Sequence, residues 1–404
     1  MRIGTALGIA AATGAAVAGG TWLWRNQGDL MFSRPLNEWT FTHMDRVLPT
    51  ETVTRPALSR PLPSARTPLG AAGIRYEFDG RTRSLAELHE RTNTTAFLVA
   101  HRGEVIHESY PGRFASPTTR FQLFSLTKSV TSMLIGIALE RGEISGLEAQ
   151  VTDYLPQLVG SGYDGVTLVN LLNMASGVGA VEDWTVPDAP IRRFETAVST
   201  GGSVLDVIRS TPKLREPGTA FNYSTIDTHV IGWLLEAATG RSLAEYATEQ
   251  LWHPMGAESD AFYFLTRGKP RTALGGGSLN ATIRDLARVG IIMAAGGRVG
   301  DTQLVPEAWV QRSRGSEHSY LQVGSLTDGG GASHYGYSNQ WWTLGGEQRG
   351  FTGLGVHGQF LWVDPDSETV IVKTSAWNTP DDDARDRETY VALNAIVRAV
   401  AERE

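Results

Sequence analysis

Two hairpin-like stretches sit near opposite ends of this chain, with mainly helical patterning between them. Residues 94–100, a turn at Arg102-Gly103 and residues 104–110 read as a β-hairpin with glycine in its turn. Far downstream, residues 359–363, a turn over 364–368 and residues 369–373 read as a second. Strands at both ends and helices in the middle predict an α/β fold of the α+β type. An antiparallel sheet flanked by helices is built from both ends of the chain, and a mainly helical domain is inserted into it. The expected boundaries are 74–150 with 262–404 for the α/β domain and 151–261 for the helical one.

Between the hairpins, Val130, Met133, Leu134, Ile137 and Ala138 mark a helix over 125–141, stopped by Gly142. Further helices are expected over 226–239, 242–251 and 282–295. The last opens on a capping box between Thr282 and Asp285. Residues 387–404 read as a closing amphipathic helix with Tyr390, Leu393, Val397 and Val400 on one face.

The N-terminus is different in kind. Residues 3–24 carry no charge, between Arg2 and Arg25, over a length that just spans a bilayer. Small residues around Ala16-Val17-Ala18 also permit signal-peptidase cleavage. Residues 1–25 are therefore read as an export signal or membrane anchor, which places the protein in the periplasm or outside the cell. The membrane is met only through that segment. Residues 26–73, rich in Pro and Arg, read as an extended arm, with organised structure beginning near Ile74.

Composition excludes several chemistries. With no cysteine in 404 residues, thiol catalysis, disulfides and thiolate metal sites are out of reach. A net charge of −7 carries no basic footprint for nucleic acid. The nine histidines include no H-E-x-x-H pair, so no zinc site is expected. No G-x-S-x-G elbow or P-loop is present. Of the two G-x-G-x-x-G runs, Gly160 to Gly165 lies in the mainly helical stretch and Gly353 to Gly358 leads into the second hairpin. Neither joins a strand to a helix, so no cofactor is implied.

Ser125-Leu126-Thr127-Lys128 offers an alternative nucleophile. On a helix, position i+3 lies one turn from i, so Lys128 can reach the Ser125 hydroxyl. A serine at a helix start also lies among free N–H groups that favour a developing oxyanion. A second S-x-x-K, from Ser210 to Lys213, contains Pro212, which discourages a helical Thr211 and breaks the shared face. Lysine is scarce here, at four residues, so Lys128 in an apolar helix asks for a reason. A serine hydroxyl needs a base. Tyr223, in Phe221-Asn222-Tyr223-Ser224-Thr225 just before a helix, supplies a second proton-handling group. Gly353 to Gln359 forms a glycine-rich approach to the second hairpin, where a ligand can come close to the backbone. Its Gln359 N–H is a candidate oxyanion donor beside that of Ser125. Lys373-Thr374-Ser375 looks like a K-T-G element but falls on the return strand, and is read as a decoy.

In this order the elements resemble the serine β-lactamase and penicillin-binding-protein superfamily, from about Thr94 to the C-terminus. The likeness is strongest to its Tyr-type branch: class C β-lactamases, family VIII carboxylesterases and 6-aminohexanoate-dimer hydrolases. The resemblance implies Ser125 as nucleophile, Lys128 and Tyr223 sharing general acid/base duty, and the Gly358-Gln359 strand facing the acyl group. It extends to Gly275-Gly276-Gly277 and the residues through Arg288. Two departures bear on substrate. The strand cation that binds a β-lactam carboxylate is missing, with Val356 or His357 in its place. Trp184, near Glu182-Asp183, stands where the nylon-oligomer branch carries a tyrosine that assists an amide leaving group. An indole can only donate, which favours ester cleavage. Phe124, Trp184, Trp341, Trp342, His357 and Gly358 are candidate substrate-binding residues, although each aromatic reads equally as core. The expected activity is hydrolysis of small esters or linear amides through an acyl-enzyme. A D-alanyl-D-alanine peptidase, a weak β-lactamase and a non-catalytic penicillin-binding module stay open at this level.

Overall fold

A computed structural model of the chain describes residues 31–402 except 71, 72, 181, 185, 317, 327–333 and 346–349. The apolar N-terminal stretch lies outside the described residues. Among the described residues no helix is long and apolar enough to cross a membrane.

Alternation at both ends of the chain gives one seven-stranded antiparallel sheet. Its order is Tyr335–Ser338, Trp341–Leu344, Phe351–Gly355, Gln359–Asp364, Thr369–Ser375, Thr94–His101, Glu104–Ser109. The first hairpin closes with Arg102 and Gly103 both at positive φ, +49° and +78°, as a tight two-residue turn demands. The two ends of the chain meet where Thr94–His101 pairs with Thr369–Ser375. Successive side chains face opposite sides of a strand. Leu98, Leu361 and Val372 therefore enter the larger core with Val130 and Leu134, while Phe97, Trp362 and Ile371 join Leu393 and Val397 of the C-terminal helix. That helix, Asp383–Ala401, is capped by the Asp382 carboxylate, which accepts the Arg385 N–H at 3.0 Å.

Helix Thr127–Glu140 is buried on every side from Thr127 to Ala138, which its polar first half tolerates because Ser129, Thr131 and Ser132 donate to Gln340 O, Gly275 O and Asn339 O at 2.9, 2.7 and 2.7 Å. It is preceded by a 3₁₀ turn over Phe124–Leu126, so the expected single helix begins two residues late. Gly136 lets the Trp309 ring pack against the helix, since an added Cβ would lie 2.6 Å from Trp309 Cγ. Thr225–Thr239 packs beside it. The segment expected as one helix over 242–251 is α-helical over Leu243–Ala247 and then widens to a π turn, Thr248–Trp252. Thr282 caps Ile283–Ala294 by accepting the Asp285 N–H at 3.2 Å. The return half of the expected capping box gives way to tertiary partners. The Asp285 carboxylate instead takes the amides of Glu258 and Ser259, at 2.7 and 3.0 Å.

The arm before residue 74 is more ordered than its composition foretells. Asn37–Thr40 forms a helical turn, and Thr50–Val53 pairs with Ala261–Phe264. That pair belongs to a small four-stranded sheet completed by Leu279–Ala281 and Phe121–Gln122. Such pairing is non-local, and no local period in a Pro- and Arg-rich stretch announces it.

Candidate active site

The 3₁₀ turn and helix Thr127–Glu140 place Ser125 and Lys128 on one face, as i and i+3 spacing requires. Between Phe121 and Ala138, Ser125 alone keeps partial exposure. Lys128 is 1% exposed. Its Nζ donates to Ser125 Oγ at 2.8 Å, Thr225 Oγ1 at 2.8 Å and Gly276 O at 3.0 Å. Three acceptors match the three donors of an ammonium. Burial nevertheless disfavours the charge and lowers Lys128 to about 8, against a smaller upward pull from Glu182.

Tyr223 comes from the loop before helix Thr225–Thr239, which Ser224 caps by accepting the Asp227 N–H at 3.1 Å. Its ring lies 4.8 Å from Lys128 Nζ. Burial raises its phenol well above the ordinary value, Glu182 raises it further, and a hydrogen bond with Ser125 opposes both. The phenol is therefore protonated at neutral pH. The structure thus brings Ser125, Lys128 and Tyr223 together from two distant segments.

Three further residues complete the constellation and went unassigned in the sequence. Thr225 and Gly276 hold the ammonium. Gly276 manages this only because it has no side chain: a Cβ there would sit 2.9 Å from Thr225 O. Glu182 accepts the Thr225 N–H and so seats a carboxylate at the start of helix Thr225–Thr239. The Tyr-Ser-Thr run and the triple glycine were visible as letters, but only the fold joins them to one ammonium.

The glycine-rich strand lies where it was expected, but the amide that its ladders leave unused is not that of Gln359. In an antiparallel ladder, the N–H and C=O of a residue point to the same side and alternate along the strand. Gly350 O accepts Leu344 N–H, so Thr352, Leu354 and Val356 face the Trp341–Leu344 side. That ladder covers Phe351 and Thr352 only, so the Val356 N–H lies beyond it. Gly355 faces the other way and pairs with Gln359, which spends its N–H on the ladder. The Gln359 side chain is also occupied, donating to Ser375 O at 2.9 Å and Val356 O at 3.3 Å. Gln359 is thus corrected to a structural residue. The strand nearest the Ser125 turn is Phe351–Gly355: a Cβ on Gly353 would meet Ser129 Oγ at 3.0 Å, and one on Gly355 would meet Leu123 O at 2.4 Å.

The other candidates divide. Phe124 adjoins Ser125 at φ +48°, its ring against Phe41 and His357. His357 is 3% exposed, with Nδ1 bonded to Trp377 O at 2.9 Å, and burial lowers it to about 4. It is a neutral wall residue, which corrects its reading as a substrate ligand. Gly358, at φ +86°, packs so tightly on Trp377 that a Cβ would lie 2.3 Å from the indole, a turn role in place of the expected substrate contact. Trp341 is fully buried in the larger core, edge-on to Phe351 at 5.0 Å. Alternation sends its neighbour Trp342 to the Tyr223 ring instead, at 5.4 Å. Trp184 is half-buried against the larger core, two residues from Glu182. In the second S-x-x-K copy, Ser210 Oγ donates to Val207 O and Lys213 Nζ to Asp164 O, so the two never meet.

The beta-lactamase family matches residues 81–396, and the chain belongs to that family. Within it, the chain is a serine hydrolase of the acyl-enzyme type. It is 33% identical over 362 residues to 6-aminohexanoate-dimer hydrolase of Paenarthrobacter ureafaciens, covering 86% of this chain and 87% of that protein. A Bacillus anthracis structure, provisionally described as a 6-aminohexanoate-dimer hydrolase, superposes with a TM-score of 0.81 at 25% identity. It covers 92% of this chain and 95% of that one. A family VIII carboxylesterase structure shares the fold, with a TM-score of 0.57 at 18% identity over 77% of this chain and 95% of that one.

Proposed function

We propose that the chain hydrolyses small carboxylic esters and linear amides, with Ser125 as nucleophile, Lys128 as general base and Tyr223 as proton donor to the leaving group. The observation that carries this reading is the buried Lys128 Nζ, 2.8 Å from Ser125 Oγ. In the deprotonated lysine, two N–H groups serve Thr225 and Gly276 and the lone pair faces Ser125. That lone pair takes the hydroxyl proton as Oγ attacks the carbonyl carbon.

The N–H groups of Ser125 and Val356 receive the oxyanion, and one such donor is typically worth about 3 kcal/mol of barrier. Collapse breaks the bond to the leaving alkoxide or amine. Tyr223 gives it a proton and recovers one from Lys128. Water then attacks the acyl-enzyme with Lys128 as base, and Ser125 leaves reprotonated. Trp342, beside Tyr223, and Trp184 are the aromatic candidates for lining the substrate cleft. Both curated and structural relatives carrying the 6-aminohexanoate-dimer name support including linear amides.

Mass spectrometry of wild type and Ser125→Ala, each mixed with a p-nitrophenyl ester, a 6-aminohexanoate dimer and a β-lactam, tests the reading. An acyl adduct or product is expected with wild type only, and with ester or dimer faster than β-lactam. Turnover at the wild-type rate in Ser125→Ala sinks it. Export through residues 1–25 is likewise a proposal, checked by N-terminal sequencing of the protein recovered from its native host.

A further inference from the structure

The N-terminal arm lies outside the residues the family matches, yet it reaches the two backbone segments that carry the oxyanion donors. Phe41 is 4% exposed and sits between Phe124 and His357, with ring centroids at 4.8 and 4.9 Å. Phe124 immediately precedes Ser125, and His357 immediately follows Val356. Phe124 itself holds φ +48°, a conformation that bulky residues keep only when their surroundings over-determine it.

The arm supplies that surrounding on three counts. The Phe41 ring fills the space between the two segments, and Phe32 covers it at 5.7 Å. Phe41 O accepts the Gln122 N–H at 2.8 Å, three residues before the nucleophile. Asn37 Nδ2 donates to Trp377 O at 3.0 Å, the same carbonyl that bonds His357 Nδ1. One short stretch thus grips the Ser125 turn and the Val356–His357 turn at once.

We infer that Phe41 and Asn37 are positioning residues that fix the spacing between the Ser125 and Val356 amides. The inference rests on the acyl-enzyme reading above. Oxyanion donors act only at a distance set within a few tenths of an ångström, and their contribution appears in the transition state. Loosening the arm should therefore lower kcat while leaving ground-state binding intact.

The test uses full-length protein carrying Phe41→Ala, Phe41→Leu or Asn37→Ala. For each, kcat and KM are measured with p-nitrophenyl butyrate, and affinity with phenylboronic acid, whose tetrahedral serine adduct places an oxygen between the two donors. Phe41→Ala should lose roughly 10-fold or more in kcat, within the range of one lost oxyanion donor, with KM nearly unchanged. Boronate affinity should fall in parallel, and Phe41→Leu should recover most of both. A merely unstable variant loses active sites but not affinity per site. Asn37→Ala leaves the aromatic packing intact and decides the matter if Phe41→Ala does not fold. Folded variants with wild-type kcat and boronate affinity would overturn the inference, as would a rise in KM alone. Wild type that neither hydrolyses the ester nor binds the boronate would instead defeat the underlying reading.

Discussion

Two lysines in this molecule are buried beside a serine, and only one of them is placed to do chemistry. Lys128 and Lys373 are 1% and 0% exposed, and burial lowers them to about 8 and about 7. Lys128 has three oxygen partners and reaches a serine that keeps partial exposure. Lys373 meets Ser375 Oγ, itself 2% exposed, and faces the rings of Phe360 and Trp377 at 5.4 and 5.5 Å. A depressed lysine beside a hydroxyl is therefore insufficient. The nucleophile needs an open side, a proton donor across from it, and backbone amides aimed at the same point.

The sharpest way to break this contrast is to remove each ammonium. Lys128→Met should cost about 10²–10⁴-fold in kcat/KM, the usual worth of a positioned base. Lys373→Met should leave the ester rate within about 2-fold, with any loss confined to stability, since it leaves the buried Ser375 hydroxyl without its Nζ partner. Equal losses in both would end the distinction. Next in size, Tyr223→Phe should slow amide hydrolysis by on the order of 10²-fold and aryl ester hydrolysis less, because p-nitrophenolate leaves without a proton.

The pH profile sharpens the assignment. A base that must be deprotonated gives kcat/KM rising with pH through about 8, the value burial gives Lys128, and the limb should persist in Lys373→Met. Thr225→Val removes an acceptor that favours the ammonium, so the limb should move to lower pH. An unmoved limb would assign it to another group. Smallest in its effect on activity, Ser375→Ala should leave turnover alone. It should cost about 1–3 kcal/mol in chemical denaturation, since it strips the buried Lys373 of its hydroxyl partner.

Much of this was legible in the residues. The two hairpins, the helix after Ser125 and the Ser125, Lys128 and Tyr223 trio follow from local period, i+3 spacing and loop chemistry, and the structure places the trio in one site. What failed was whatever depended on register or on distant partners. Gln359 lost to Val356 because strand letters do not say which amides point into the ladder. Trp341 and Trp342 read alike in sequence, and one step of alternation sends the first into the larger core and the second to Tyr223. His357 looks like a ligand in sequence and is a buried, neutral wall in space. The arm offered no period at all, because Phe41 and Asn37 are held by partners distant in the chain, from Gln122 and Phe124 to His357 and Trp377.

That same separation governs how the molecule comes into being. Thr95 Oγ1 and Thr374 Oγ1 bond at 2.8 Å across 279 residues of chain. The Thr94–Ser109 hairpin has its sheet partner only after nearly all the rest is made. Such long-range closure makes folding slow and exposes an unpaired strand edge in the interval. A chain stopped short of Thr369 would lack the strand through which the Thr94–Ser109 hairpin joins the rest of the sheet. Nascent or truncated forms are therefore expected to be clients of chaperones and inactive as hydrolases.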